Sequence, residues 1–131
     1  MKAFLKFLVV PAVGAALSLA LLTNSTAAEG GDNATKEFMK KYHKAPKGVD
    51  PVCKRAVDGK ATPQELKELS AGYHAMMKVK PPEGDMASWK EKTTKLASAA
   101  DAMVKGEAGA NERYKEAVNC KACHEVHKPK S

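Results

Sequence analysis

The sequence predicts an all-α chain, an up-and-down four-helix bundle with a broken first helix. Three observations lead there. No stretch alternates apolar and polar residues for long enough to make a strand. Large apolar residues instead recur at steps of three and four. Most such stretches open on a capping residue, each closes on Pro or Gly, and the short linkers between them imply antiparallel neighbours.

Residues 29 to 33, Glu-Gly-Gly-Asp-Asn, read as a flexible start. A first helix is expected from about Thr35 to Lys44, capped by Asn33 or Thr35. Phe38, Met39 and Tyr42 make its apolar stripe, and His43 lies one turn after Met39 beside that stripe. Ala45-Pro46-Lys47-Gly48 stops it. Asp50-Pro51 then joins a cap to a proline suited to the first helical position, so a short helix from Pro51 to Asp58 follows and ends at Gly59.

Thr62-Pro63-Gln64-Glu65 combines a capping box with a first-turn proline. From there Leu66, Leu69, Tyr73 and Met76 or Met77 repeat at helical spacing to about Lys78, before Pro81-Pro82. Gly84-Asp85 opens the next helix, in which Met86, Trp89, Thr93, Leu96, Ala100 and Met103 keep a period of about 3.5 residues, the period of a left-handed bundle. Gly106 ends it. A last helix is expected from Ala108 or Ala110 through His127, carrying Tyr114, Ala117 and Val118, until Pro129.

Ahead of these elements stands a leader. Met1 to Lys6 is basic, Phe7 to Leu22 is apolar, and Thr23 to Ala28 is small and polar, the pattern of a secretory signal peptide cut after Ala27 or Ala28. The apolar run is short for a membrane-spanning helix. The mature chain, residues 29–131, is therefore expected to be one exported, periplasmic domain of about 103 residues with no stable membrane insertion.

The whole chain carries a net charge of +7, which falls to +5 once Lys2 and Lys6 leave with the leader. A mildly basic surface suits an acidic partner. Nucleic acid is disfavoured, because the lysines are spread along the chain and few aromatics lie among them. Past the leader stand five aromatics, three leucines, seven valines, five methionines and no isoleucine. A core built from these alone is marginal, and a rigid apolar cofactor would complete it.

The chemistry concentrates at Cys120-Lys121-Ala122-Cys123-His124. Two cysteines two residues apart and followed at once by histidine form the attachment signature of a c-type haem. Thiols about one helical turn apart can each add to a vinyl group of one porphyrin, and the histidine then meets the iron. Two other readings stay open at this point. Cys120, Cys123, His124 and His127 share one helix face and could hold zinc, although structural zinc sites usually draw ligands from two separate elements. The cysteine pair could also be a plain disulfide; a thioredoxin-like redox pair would need a preceding βαβ pattern that the chain lacks. With two cysteines committed, Cys53 stands alone and reads as a small core residue.

A helical chain with Cys120-Lys121-Ala122-Cys123-His124 on its last helix resembles the class II c-type cytochromes, the family of cytochrome c′ and its methionine-ligated relatives. Class I cytochromes c carry the signature near the N-terminus, with a methionine ligand far downstream, whereas seven residues follow His124 here. The resemblance implies one haem c, thioether links at Cys120 and Cys123, and His124 as the fifth iron ligand. In the methionine-ligated branch a methionine on the first helix fills the sixth position, and Met39 stands in that setting. His43 and an open sixth position are its rivals, and the shortened first helix departs from the family's usual long one.

The remaining candidates have plainer expected roles. His74 is expected to be a hydrogen-bonded structural residue and His127 to lie at the haem edge or in solvent. Met76, Met77, Met86 and Met103 read as core fillers, and Trp89 as a core residue or a neighbour of the haem. Arg113 and nearby lysines are candidates for pairing with propionates. No nucleophile and base pair suggests an enzyme. Three functional readings follow: an electron carrier for acidic redox proteins, a five-coordinate haem binding nitric oxide or carbon monoxide, and, more distantly, a zinc-holding structural domain. Whether two copies pair as a homodimer stays open.

Overall fold

Six α-helices make up the described residues, 31–130, of the computed structural model: α1 (Gly31–Tyr42), α2 (Val52–Val57), α3 (Pro63–Met76), α4 (Met86–Val104), α5 (Ala110–Ala117) and α6 (Cys120–His127). No strand occurs among them, so the chain is all-α as its periodicity implies. None of these helices is long and apolar enough to cross a membrane. The leader and its cleavage site lie outside the described residues.

Local chemistry accounts for most of the helix starts. The Thr62 hydroxyl accepts from the Glu65 N–H at 3.2 Å while the Glu65 carboxylate accepts from the Thr62 N–H at 2.8 Å, completing the capping box of α3. Asp85 likewise accepts from the Ser88 N–H at 2.8 Å and opens α4. Three boundaries differ from expectation. At α2, Pro51 is the residue before the helix and not its first, and Asp50 pairs with Lys54 at 2.6 Å instead of capping. Helix α1 starts at Gly31 with Asp32 in its first turn, where an acidic side chain meets the helix's positive end, so Asn33 and Thr35 lie inside the helix instead of capping it. The expected single last helix is two helices. Asn119 accepts from the Ala122 N–H at 3.0 Å and starts α6 afresh, because asparagine serves a cap better than a helix interior.

Helix α4 is the centre of the packing. It contacts α3, α5 and α6, and its buried alanines Ala97, Ala99, Ala100 and Ala102 let the neighbouring backbones come close. Leu69, Tyr73, Trp89, Thr93, Ala100 and Tyr114 have essentially no exposed surface. The buried Thr93 hydroxyl is satisfied by the Trp89 carbonyl at 2.8 Å. Met103 and Met76 fill the core as expected, but Met86, the first residue of α4, is 44 % exposed and does not. Helix α2 is tied down by Asn111, whose side-chain amide donates to the Ala56 carbonyl at 2.9 Å, and by an Arg55–Glu65 ion pair.

Helix α1 rests on α3 through one aromatic seam. The Phe38 ring lies against Tyr42 and Tyr73, with centroids at 4.9 and 5.2 Å, and over Gly72. A Cβ at position 72 would sit 1.8 Å from that ring. Gly72→Ala gains helix propensity of about 1 kcal/mol but overpacks a ring already hemmed in on other sides, so a net loss of about 1–2 kcal/mol is expected in urea unfolding. At the seam's edge the Tyr42 hydroxyl donates to Glu68 at 2.5 Å.

That bond, with help from Gln64 and Lys41, pulls the Glu68 carboxyl from its ordinary 4.5 down to about 2. As pH falls the unfolded chain takes up this proton first, so the contribution is complete above about pH 4.5 and gone below about pH 2. Tyr42→Phe removes the largest cause, and the acid limb of stability between those values should become shallower when unfolding midpoints are followed against pH.

Candidate functional site

The motif residues occupy the first turns of α6, and α1 faces them. Cys120 and His124 are exposed, Cys123 is half-buried, and both thiols are free. Met39 projects from α1, partly buried against the core's edge. Two clefts of about 390 and 410 Å³ lie between these helices, each within the size range of small-molecule sites. The first is lined by His43, Leu96, Val118 and Cys120 among others, the second by Thr35, Trp89, His127 and Lys128 among others. Met39, Cys123 and His124 line both. Met39 of α1 and His124 of α6 therefore both border the two clefts.

The surroundings act differently on the imidazole and on the thiols. Partial burial, aided by the Lys128 charge, lowers the His124 imidazole below its ordinary value and favours the neutral form that binds metals. Burial raises the Cys123 thiol, with Lys92 acting in the opposite sense. Cys53 is buried, as a core residue should be, and its thiol is raised first by that burial and then by the neighbouring Cys120. A thioether and a neutral imidazole sharing one opening, with two thiols at its rim, suit an iron porphyrin. Among the described residues no three His, Cys, Asp or Glu side chains converge to hold a metal ion.

His43 also faces the first cleft, but its Nε2 is engaged with the Tyr73 hydroxyl at 3.0 Å. Tyr73 in turn shares a 2.6 Å hydrogen bond with Tyr114. Burial, with the charge of His124 second, pushes the His43 imidazole down to about 4, and burial raises both tyrosines above their ordinary range. The three rings form a neutral polar chain through the core to the cleft wall. Sequence reading missed it, since residues 43, 73 and 114 lie on separate elements and nothing in their spacing pairs them.

His127 corrects one half of an expectation that put it at a haem edge or in solvent: it lines the second cleft, but it is 2 % exposed and edge-on to the Trp89 ring at 5.3 Å, not in solvent. Its Nδ1–H donates to the Glu83 carbonyl at 2.8 Å, which leaves Nε2 to accept from the Ser88 hydroxyl at 3.1 Å. Both nitrogens are occupied, one by the turn before α4 and one by the first turn of α4, so they are poorly placed to join a zinc set with Cys120, Cys123 and His124. Gly84 makes this docking possible: it adopts φ +82°, and a Cβ there would come within 2.8 Å of the Val126 carbonyl.

Other candidates fall where the core needs them. Trp89 is buried, lines the second cleft and donates its indole N–H to the Met76 and Val79 carbonyls at 2.9 and 3.0 Å. His74 pairs with Asp101 at 2.9 Å and links α3 to α4. Arg113 pairs with Glu107 at 2.8 Å and lines a third cleft between α4 and α5, which shares Lys95, Glu116 and Ala117 with the first but has no motif residue in its wall. Comparison with protein-family models, with curated proteins and with solved structures finds no match to this chain.

His127→Ala removes two hydrogen bonds and an aromatic contact, and leaves the Glu83 carbonyl and Ser88 hydroxyl to find new partners. A loss of about 2–4 kcal/mol is expected in urea unfolding, with α6 amides exchanging faster than those of α3 and α4.

Proposed function

We propose that this chain is a small exported c-type cytochrome that passes single electrons between proteins and is not an enzyme. One haem c would be held by thioether bonds from Cys120 and Cys123, with His124 as the proximal iron ligand and Met39 as the distal one. The single observation that carries this reading is that Met39 and His124 line the same pair of clefts from opposite helices. The wider arrangement proposed is a four-helix bundle in which α1 and α2 form one broken member, α3 and α4 two more, and α5 with α6 the last. A haem held there would supply one-electron chemistry.

The protein's own residues do the rest. Cys120 and Cys123 fix the edge of the cofactor so that it stays bound in either oxidation state. His124, kept neutral by its surroundings, offers an imidazole lone pair. Met39 offers a soft sulfur that favours the reduced metal and raises the potential. His43 is the weaker distal candidate, since the Tyr73 hydroxyl already occupies its Nε2. Leu96, Val118 and Trp89 supply apolar wall, and lysines at the mouth would steer an acidic redox partner. Export to the periplasm belongs to the same proposal, because there a covalent haem would be attached.

Visible spectra of the purified protein, oxidised and reduced, test it. A low-spin spectrum with a sulfur-to-iron charge-transfer band is expected, and Met39→Ala should turn it high-spin and lower the reduction potential. A high-spin wild-type spectrum would favour the five-coordinate, gas-binding alternative. Protein that matures without covalent haem in a competent host would overturn the reading altogether.

A further inference from the structure

The two clefts differ in charge, and one contains a buried hydroxyl with no partner. Thr35 is 6 % exposed, lines the second cleft, and its Oγ1 makes no hydrogen bond among the described residues. Thr93 shows what such a hydroxyl normally does, bonding the carbonyl four residues back, at Trp89. Thr35 leaves that option unused. A buried polar atom without a partner calls for an explanation, and an acceptor brought by a ligand supplies one.

The surrounding charge has the matching sign. Lys36, Lys40, Lys44 and Lys128 line this cleft against one acidic residue, Asp32. Lys40 is paired with Glu37, whereas Lys36, Lys44 and Lys128 form no ion pair among the described residues. The first cleft is balanced, with Lys92 and Lys95 against Glu91 and Glu116, and Lys95 already bound to Glu91 at 2.7 Å. Cys120 lines only this balanced cleft, and Cys123 lies at the join. A tetrapyrrole tied by its vinyl-bearing edge to those cysteines points its two carboxylates away from them.

Resting on the haem reading above, we propose that the second cleft is the propionate seat. The Thr35 hydroxyl donates to one carboxylate, and Lys36, Lys44 and Lys128 provide the positive surroundings. This fixes which way round the cofactor lies between α1 and α6, and it assigns Thr35 a ligand contact that its place inside a helix did not suggest. A hydroxyl donor and unpaired lysines are the groups an ionised carboxylate needs when it leaves water.

Resonance Raman spectra of the purified holoprotein provide the test, because the propionate bending band reports hydrogen bonding to the carboxylate directly. Thr35→Val keeps the side-chain shape and removes the donor, and should move that band to lower frequency. Thr35→Ser should leave it in place, and so should Lys95→Gln in the other cleft. If Thr35→Val assembles poorly, Thr35→Ala provides a second variant without the hydroxyl. An unmoved band in the variant lacking the hydroxyl, or a shift produced by Lys95→Gln, overturns the seat while leaving the cytochrome reading intact. Wild-type protein without covalent haem defeats that underlying reading instead.

Discussion

The position of α6 depends on one imidazole. An isolated helix of eight residues is too short to hold itself in water, so α6 takes its order from what it docks against. His127 provides that docking by filling the space beside Trp89 and by spending one ring nitrogen on the turn that leads into α4 and the other on Ser88 in its first turn. With the last turn of α6 fixed in this way, its first turn faces α1, and Cys120, Cys123 and His124 are carried to the clefts. The glycine at position 84 belongs to the same constraint, since any side chain there would push the two segments apart.

The other half of the site is less firmly founded. Met39 rides on α1, whose main support is the seam that Phe38 and Tyr42 make with α3. The seam is aromatic at its centre and charged at its rim, where Lys41 and Tyr42 both reach Glu68. Next to it the chain His43, Tyr73 and Tyr114 brings polar atoms into the core without bringing charge, because desolvation keeps the imidazole neutral and both phenols protonated. The wall of the first cleft therefore stays uncharged at His43, and the fixed charges gather at its mouth and in the neighbouring cleft.

Much of the fold could be read from the chain because its signals are local. Thr62 with Glu65 and Asp85 before Ser88 announce helix starts within four residues, and the 3.5-residue stripe of α4 identifies Trp89, Thr93, Leu96, Ala100 and Met103 as inward-facing. Asn119 is equally visible, but Tyr114, Ala117, Val118 and the motif around it keep helical spacing, so the sequence reads as one last helix where the chain makes two. What could not be read was long-range. The sequence offers His127 a haem edge or solvent, and only the return of residues 83–88 beside it makes it a core group. The motif cysteines and His124 were legible as a set, and so was Met39 as the methionine of α1; the sharing of two clefts by Met39 and His124 needed three dimensions.

The interruption at Val118 and Asn119 has a consequence for the order of assembly. Because α6 begins on its own cap instead of extending α5, the core formed by α3, α4 and α5 can close without it. Under the haem proposal, the thiol-bearing segment would remain reachable for attachment at that stage and dock afterwards. In such a scheme the final step of folding would be a docking event, made permanent once something large and apolar bridges the space to α1.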